Sequence, residues 1–266
     1  MAEGAPPGDG ESPYGPEVHA RRARSFGPLA EDYERYRPGY PDDAVDWLLP
    51  GAADVVVDLG AGTGKLTGSL LTRAPNVVAI EPDPVMLGVL QRVHPTVDAR
   101  LAGADALPLP DRSVDAVLVA QAWHWFPHEL AAAEVRRVLR PGGWLGLVWN
   151  MVAPEEPWQI EVERLNDVAR GRPQEAPRQP PDAVEVDGLP SEELEATTFP
   201  WVELLAPEQL RARIATYSHL ALLPDVRRAE LLDRIAGVAQ EEAVRLGSPV
   251  VPFRQIAYCV RWCPAR

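Results

Sequence analysis

Val55-Val56-Val57-Asp58-Leu59-Gly60-Ala61-Gly62-Thr63-Gly64 decides how the rest of this chain is read. Three β-branched residues followed by Asp-Leu predict a short buried strand. The alternate glycines take side chains out of the turn that follows. Its backbone can then adopt positive φ and lie directly against a ligand. Leu66, Leu70 and Leu71 continue the chain as a helix. Strand, glycine turn and helix in that order make a nucleotide-binding corner.

Spacing narrows the nucleotide. A phosphate-binding P-loop needs Gly, four residues, then Gly-Lys-Ser/Thr. Here Leu59 stands five places before Gly64, and Leu66 follows Lys65. A dinucleotide fingerprint needs its third Gly three places after the second, where this chain has Lys65. The carboxylate of Asp58 would repel a pyrophosphate and attract a cation. A cofactor bearing ammonium and sulfonium charges suits it better than one bearing phosphates.

The stretch Asp58-Leu59-Gly60-Ala61-Gly62-Thr63-Gly64 resembles the first motif of the class I S-adenosylmethionine-dependent methyltransferases, acid-x-Gly-x-Gly-x-Gly, without a gap. The resemblance implies an α/β fold: a doubly wound, Rossmann-like seven-stranded sheet with its last strand antiparallel, plus a helical lid and cap. It implies S-adenosyl-L-methionine as cofactor and S-adenosyl-L-homocysteine as product. On this basis Asp58, Gly60, Ala61, Gly62, Thr63 and Gly64 are candidate cofactor-binding residues.

Asn76–Glu81 reads as a second strand ending in an acid. Glu81 follows Gly60 by 21 positions, a spacing that suits a βαβ unit presenting a carboxylate to a ribose. Pro82-Asp83-Pro84 turns the chain, and Val85, Met86, Leu87 and Leu90 supply an apolar helical stripe. The resemblance places Glu81, Pro82 and Met86 at the cofactor, Met86 beneath the adenine; ordinary core filling explains Met86 equally well. A third strand is expected within Val97–Ala104, followed by Asp105-Ala106-Leu107-Pro108-Leu109-Pro110, a run shared with one branch of the family. The resemblance assigns Asp105 to the adenine amino group and the Ala106 amide to a ring nitrogen. Val114–Ala120 is a fourth strand, in which Asp115 is expected to anchor neighbouring loops.

Gln121-Ala122-Trp123-His124-Trp125-Phe126 stands where that strand ends. Ligands of open α/β sheets bind outside the carboxyl ends of the strands. The Gln121 carbonyl is a candidate acceptor for the methionine ammonium, and His124 a candidate general base, since imidazole titrates near neutrality. Trp123 and Trp125 are candidate substrate contacts, though packing against the next helix explains Trp123 and Phe126 as well. A helix is expected over Pro127–Leu139, with Leu130, Ala133, Val135, Val138 and Leu139 inward. Arg140-Pro141-Gly142-Gly143 breaks it, and Trp144–Trp149 is a fifth strand covered on both faces. Trp149 and Asn150 are placed to line a substrate cavity.

Residues 1–18 read as a disordered tail and 19–45 as an N-terminal lid. The cofactor-binding core spans 46–150, a substrate cap with a sixth strand spans 151–245, and 246–266 completes the sheet. In the lid, Tyr33 and Tyr36 are candidates to cover the methyl group, and Arg37 to pair with the methionine carboxylate. Tyr36 and Tyr40 serve equally well as clamps to the core. In the cap, Trp158–Val168, Pro207–Tyr217 and Asp225–Ala243 suit helices. Residues 171–190, with Pro173, Pro177, Pro180, Pro181 and Pro190, suit a loop. Leu194–Leu205 and Val250–Val260 suit strands. Arg213, Tyr217, Ser218 and His219 can recognise a polar acceptor or simply face solvent; Tyr217 is taken as a substrate candidate.

With 26 Lys and Arg against 39 Asp and Glu, the net charge is −13, which argues against a nucleic-acid partner. The small basic patch of Arg21, Arg22 and Arg24 does not reverse that balance. Cys259 and Cys263 match neither a redox nor a zinc spacing, and no metal ligand cluster is expected. No apolar run approaches the roughly 18 residues that span a bilayer, and no apolar signal region opens the chain. The expectation is a cytoplasmic monomer or homodimer without membrane contact. The Tyr-Arg-Pro-Gly-Tyr-Pro lid and the Trp-His-Trp turn resemble the bacterial small-molecule branch of the family, trans-aconitate-like and of methyltransferase type 11. That resemblance implies transfer of a methyl group to an oxygen, nitrogen or carbon of a small acceptor. Two alternatives stand beside it: a cofactor-binding relative that does not methylate or serves as a binding partner, and a nicotinamide-dependent oxidoreductase.

Overall fold

β-Branched runs bounded by turns form the centre of the molecule. The computed structural model describes residues 27–170 and 185–264; the expected tail 1–18, the basic patch and most of the proline-rich loop lie outside them. After a 3-10 turn at Gly27–Leu29 come α1 (Ala30–Tyr36) and α2 (Asp42–Leu48). The sheet region then runs β1 (Val55–Leu59), α3 (Lys65–Leu70), β2 (Asn76–Glu81), α4 (Pro84–Val93), β3 (Asp98–Leu101), β4 (Val114–Ala120), α5 (His128–Val138) and β5 (Leu139–Val152). The rest comprises α6 (Pro157–Ala169), β6 (Leu194–Leu205), α7 (Pro207–Ala215), α8 (Asp225–Leu246) and β7 (Val251–Trp262).

The seven strands form one sheet in the order β3-β2-β1-β4-β5-β7-β6. β1 to β5 pair in parallel, and β7 runs antiparallel to both β5 and β6. The expected fold is the observed one. The order reverses between β1 and β4, and that switch opens a crevice at the carboxyl ends of the two strands. The glycine turn follows one strand and Gln121–Phe126 the other.

Both faces of the sheet are covered, so its inner strands carry near-continuous apolar runs. On one face, Ala44, Val45 and Leu48 of α2 pack with Val56, Leu118, Val148 and Cys259. On the other, Ala131, Ala132, Val135 and Val138 of α5 pack with Val57, Val117, Leu147 and Trp262. A third cluster forms the cap, where Val162, Leu210, Ile214 and Ile235 close over Val251 and Phe253.

Several local expectations are corrected. Leu130 and Ala133 are exposed, and Ala131 and Ala132 turn inward instead, because the stripe of α5 is rotated relative to the expected one. Val85 is exposed and Val89 takes its place in the α4 stripe. Leu71 caps α3 rather than extending it, and is partly exposed. β5 begins at Leu139 rather than Trp144; its Gly142 lies at φ 86°, beside a register shift against β4 between Val114 and Ala116. The Pro-Gly-Gly break is thus an irregularity within the strand. Asp115 anchors this corner as expected, accepting from the Asp54 and Val55 amides at 2.9 Å and from Arg140 at 2.7 Å.

Candidate functional site

The glycine turn is held against β2 by its own backbone. The Gly60 and Ala61 amides both donate to the Ile80 carbonyl, at 2.8 and 3.1 Å. Gly60 stands at φ 71°, and a Cβ there would lie 2.7 Å from that of Ala122. Only glycine suits that backbone and that approach. Gly64, at φ 94°, starts α3 beneath the His94 ring. The residue after it, Lys65, reaches outward to the lid, where Nζ lies 3.1 Å from Glu34 Oε1 and also donates to the Glu34 carbonyl.

Two carboxylates flank the turn. Glu81, at the end of β2, is 8 % exposed. Its Oε2 accepts from the Gly62 amide and its Oε1 from the Asp83 amide, both at 2.9 Å. Burial pushes its carboxyl above the ordinary value, against the pull of those two amides. Asp58 is wholly buried. Its Oδ2 accepts from the Thr67 hydroxyl at 2.6 Å, while Oδ1, like Thr63 Oγ1, is buried with no hydrogen-bond partner among the described residues. Burial raises Asp58 to about 7; the Thr67 bond opposes this and the nearby Glu81 charge adds to it. Orphaned buried oxygens are uncommon and need an explanation.

The lid lies over this corner. Ala30 packs with Met86 and Val89, with Tyr33 against them; Met86 Cε stands 3.5 Å from where a Cβ on Gly62 would be. Beside it opens a cleft lined by Tyr33, Arg37, Pro38 and Tyr40 of the lid segment, Gln121, Asn150 and Val152 from the strand ends, and Arg213, Tyr217 and Gln255 of the cap side. Tyr33 therefore joins the glycine-turn corner to the cleft. Burial raises the phenol pKa of Tyr33 and of Tyr40, so both remain hydroxyls. Gln121 takes the left-handed conformation, φ 57°, and its side chain donates to the Asn150 carbonyl at 3.2 Å.

Other candidates fall elsewhere. Trp123 is 2 % exposed, sits in the core beside Phe126, and donates to the Asp187 carbonyl at 3.1 Å. Strand alternation sends Trp149 to the sheet face opposite Asn150, where it stacks on Tyr258 at 6.0 Å. His124 is half-buried with its ring 4.7 Å from that of Trp125, and neither lines the cleft. Tyr36 is half-buried and also outside the lining. Arg37 lines the cleft, but Nε and Nη2 donate to Thr216 Oγ1 and O at 2.8 and 3.2 Å. Asp105 and Ala106 lie exposed after β3. The loop they begin is held by residues the sequence reading did not single out: Glu134 accepts from the Leu107 amide, and Arg137 donates to the Leu107 and Leu109 carbonyls. An i, i+3 acid–base pair on α5 was the available signal. Among the described residues, no cluster of three His, Cys, Asp or Glu side chains is placed to hold a metal, and no helix is long and apolar enough to cross a membrane.

Residues 57–147 match the model of a methyltransferase domain. An uncharacterized methyltransferase of Mycobacterium tuberculosis is 42 % identical over 237 residues, covering 89 % of this chain and 94 % of the relative. The chain belongs to the class I S-adenosylmethionine-dependent methyltransferases. An uncharacterized methyltransferase-like protein of Schizosaccharomyces pombe is 35 % identical, covering 80 % of this methyltransferase and 86 % of the relative. Among solved structures, a protein of Anaeromyxobacter dehalogenans assigned as a type II methyltransferase superposes with a TM-score of 0.62 at 27 % identity, covering 85 % of this chain and 97 % of the other.

Proposed function

We propose that this methyltransferase binds S-adenosylmethionine at the glycine turn and transfers its methyl group to a small molecule held in the adjoining cleft. One observation carries the cofactor reading. The buried Glu81 carboxylate is oriented by two backbone amides beside a turn with no side chain at Gly60, Gly62 or Gly64. Each of its oxygens keeps a lone pair for a ribose hydroxyl.

The residues fit the group chemically. Glu81 would hold the sugar, Met86 would pack against the base, and the bare backbone of Gly60–Gly64 would admit close approach. Asp58 and Thr63 place unsatisfied oxygens beneath the turn, suited to a cationic ligand and its donors. The bound cofactor supplies a methyl group on a sulfonium, already a good electrophile. The chain's own work is then alignment and exclusion of water. Tyr33, Tyr40 and Tyr217 wall the cleft, and Lys65–Glu34 ties the lid down.

Thermal shifts with S-adenosylhomocysteine and with NAD test this. A ligand of the native state at a hundredfold excess over its Kd is expected to raise Tm by about 5–10 °C. The thioether nucleoside should do so and NAD should not. Stabilisation by NAD alone would overturn the reading. Binding of labelled S-adenosylmethionine without transfer to any acceptor in a metabolite extract would leave a cofactor-binding protein that does not methylate.

A further inference from the structure

Every charged residue lining the cleft is an arginine, Arg37 or Arg213, in a chain whose net charge is −13. Arg213 is 3 % exposed. Its Nε donates to the Tyr36 carbonyl at 3.0 Å and its Nη2 to Glu203 Oε1 at 2.6 Å. Its Nη1 is buried and has no hydrogen-bond partner among the described residues. Across the cleft, Asn150 Nδ2 donates to the Gly39 carbonyl at 2.9 Å, which fixes the amide and leaves Oδ1 as the acceptor. That Oδ1 is likewise buried and unpartnered.

A buried guanidinium N–H and a buried amide oxygen without partners are each costly to leave unsatisfied. Both residues line the cleft, one contributing a donor and the other an acceptor, a complementary pair of polar groups. Glu203 offsets one positive charge, its other oxygen accepting from Gln255 at 3.2 Å. Arg37, which is bonded to Thr216 rather than to an acid, leaves the cleft positive.

The geometry points to an acceptor molecule that carries a carboxylate or similar anionic oxygen, docked on Arg213 Nη1, and a hydroxyl or amine that donates to Asn150 Oδ1. This rests on the methyltransferase reading above and names the substrate class it requires. The anion is a handle: Arg213 and Asn150 determine which acceptor is held.

Isothermal titration of protein saturated with S-adenosylhomocysteine tests it, using acids paired with their neutral amides: glycolate and glycolamide, lactate and lactamide, salicylate and salicylamide, 4-hydroxybenzoate and 4-hydroxybenzamide. At least one acid is expected to bind tenfold or more tightly than its amide. Arg213→Gln should reduce that preference below twofold while S-adenosylhomocysteine affinity stays within about twofold of the parent. Asn150→Asp, which puts a negative charge opposite the guanidinium, should weaken the same acid at least tenfold; it serves alone if Arg213→Gln does not fold. The proposal is overturned if no acid binds, if amides bind as well as acids, or if the preference survives both substitutions. It is also overturned if Arg213→Gln lowers S-adenosylhomocysteine affinity tenfold, because Arg213 would then hold the cofactor's own carboxylate. If the parent protein does not bind S-adenosylhomocysteine at all, the cofactor reading itself fails.

Discussion

The Glu81 carboxylate accepts a hydrogen bond from the Gly62 amide at 2.9 Å, joining the end of β2 to the glycine turn after β1. With the bond from Asp83, this holds an acid at the crevice where the strand order reverses. Replacing Glu81 by Ala removes the sugar's acceptor and strands two amides. Hydrogen bonds to charged groups contribute about 1.5–3 kcal/mol, so S-adenosylhomocysteine affinity should fall roughly 10- to 150-fold. Calorimetric titration measures it; an affinity within twofold of the parent would show that this carboxylate is not the ribose ligand.

Asp58 has a second consequence. Its folded pKa, about 7, lies above the ordinary carboxyl range, so the folded state favours the protonated form. Its contribution to stability is therefore full at pH below about 4 and is lost as pH rises through about 7. A cationic ligand prefers the ionised form. Affinity for S-adenosylmethionine should rise about 3- to 10-fold between pH 6 and pH 8, and level off above. Asp58→Asn should flatten that profile. A parent profile that is already flat would refute the coupling.

Gly60→Ala should cost about 1–3 kcal/mol in denaturant unfolding, since φ is 71° and the new methyl would stand 2.7 Å from Ala122 Cβ. Gly237 lies in α8 with open space around it. Gly237→Ala, by contrast, should stabilise the protein by up to about 1 kcal/mol through helix propensity. Equal effects at the two sites would contradict this account of the turn.

Lys65→Met removes the tether between α3 and the lid. A part-exposed ion pair contributes about 1 kcal/mol or less, so Tm should move by only a few degrees. The amides of Ala30–Tyr36 should nevertheless exchange several times faster, because local opening is governed by local contacts. Unchanged exchange there would show that apolar packing on Met86 and Val89 holds the lid alone.

His124→Gln should lower kcat less than tenfold. A general base contributes about 10²- to 10⁴-fold, and this ring lies outside the cleft, beside Trp125. A hundredfold loss, with a shifted pH–rate profile, would restore His124 as the base.

The corner at Asp58–Gly64 was readable because its signals are local. β-Branched residues favour a strand, glycine accepts those positive φ values without steric cost, and Glu81 follows at a fixed βαβ spacing. The aromatic run after β4 stayed open between two roles for an equally physical reason. Trp123 is as amphipathic in a core as in a ligand wall, and only its bond to Asp187, 64 positions away, separates the two. Trp149 and Asn150 are adjacent in the chain, yet pleating sends one to each face. Composition says nothing about which of the two meets the cleft.

Backbone preference and hydrophobic period, both effects of a few neighbouring residues, were enough to name the strand, the glycine turn and the acidic residue that follows it, and the motif's resemblance to a family implied the sheet. The acceptor cleft follows from contacts between segments far apart in sequence, such as Arg213 with the Tyr36 carbonyl across 177 positions and Arg37 with Thr216 across 179. Those pairings are hydrogen bonds between the lid and the cap, and the cleft they border carries one buried guanidinium nitrogen and one buried amide oxygen without a partner among the described residues.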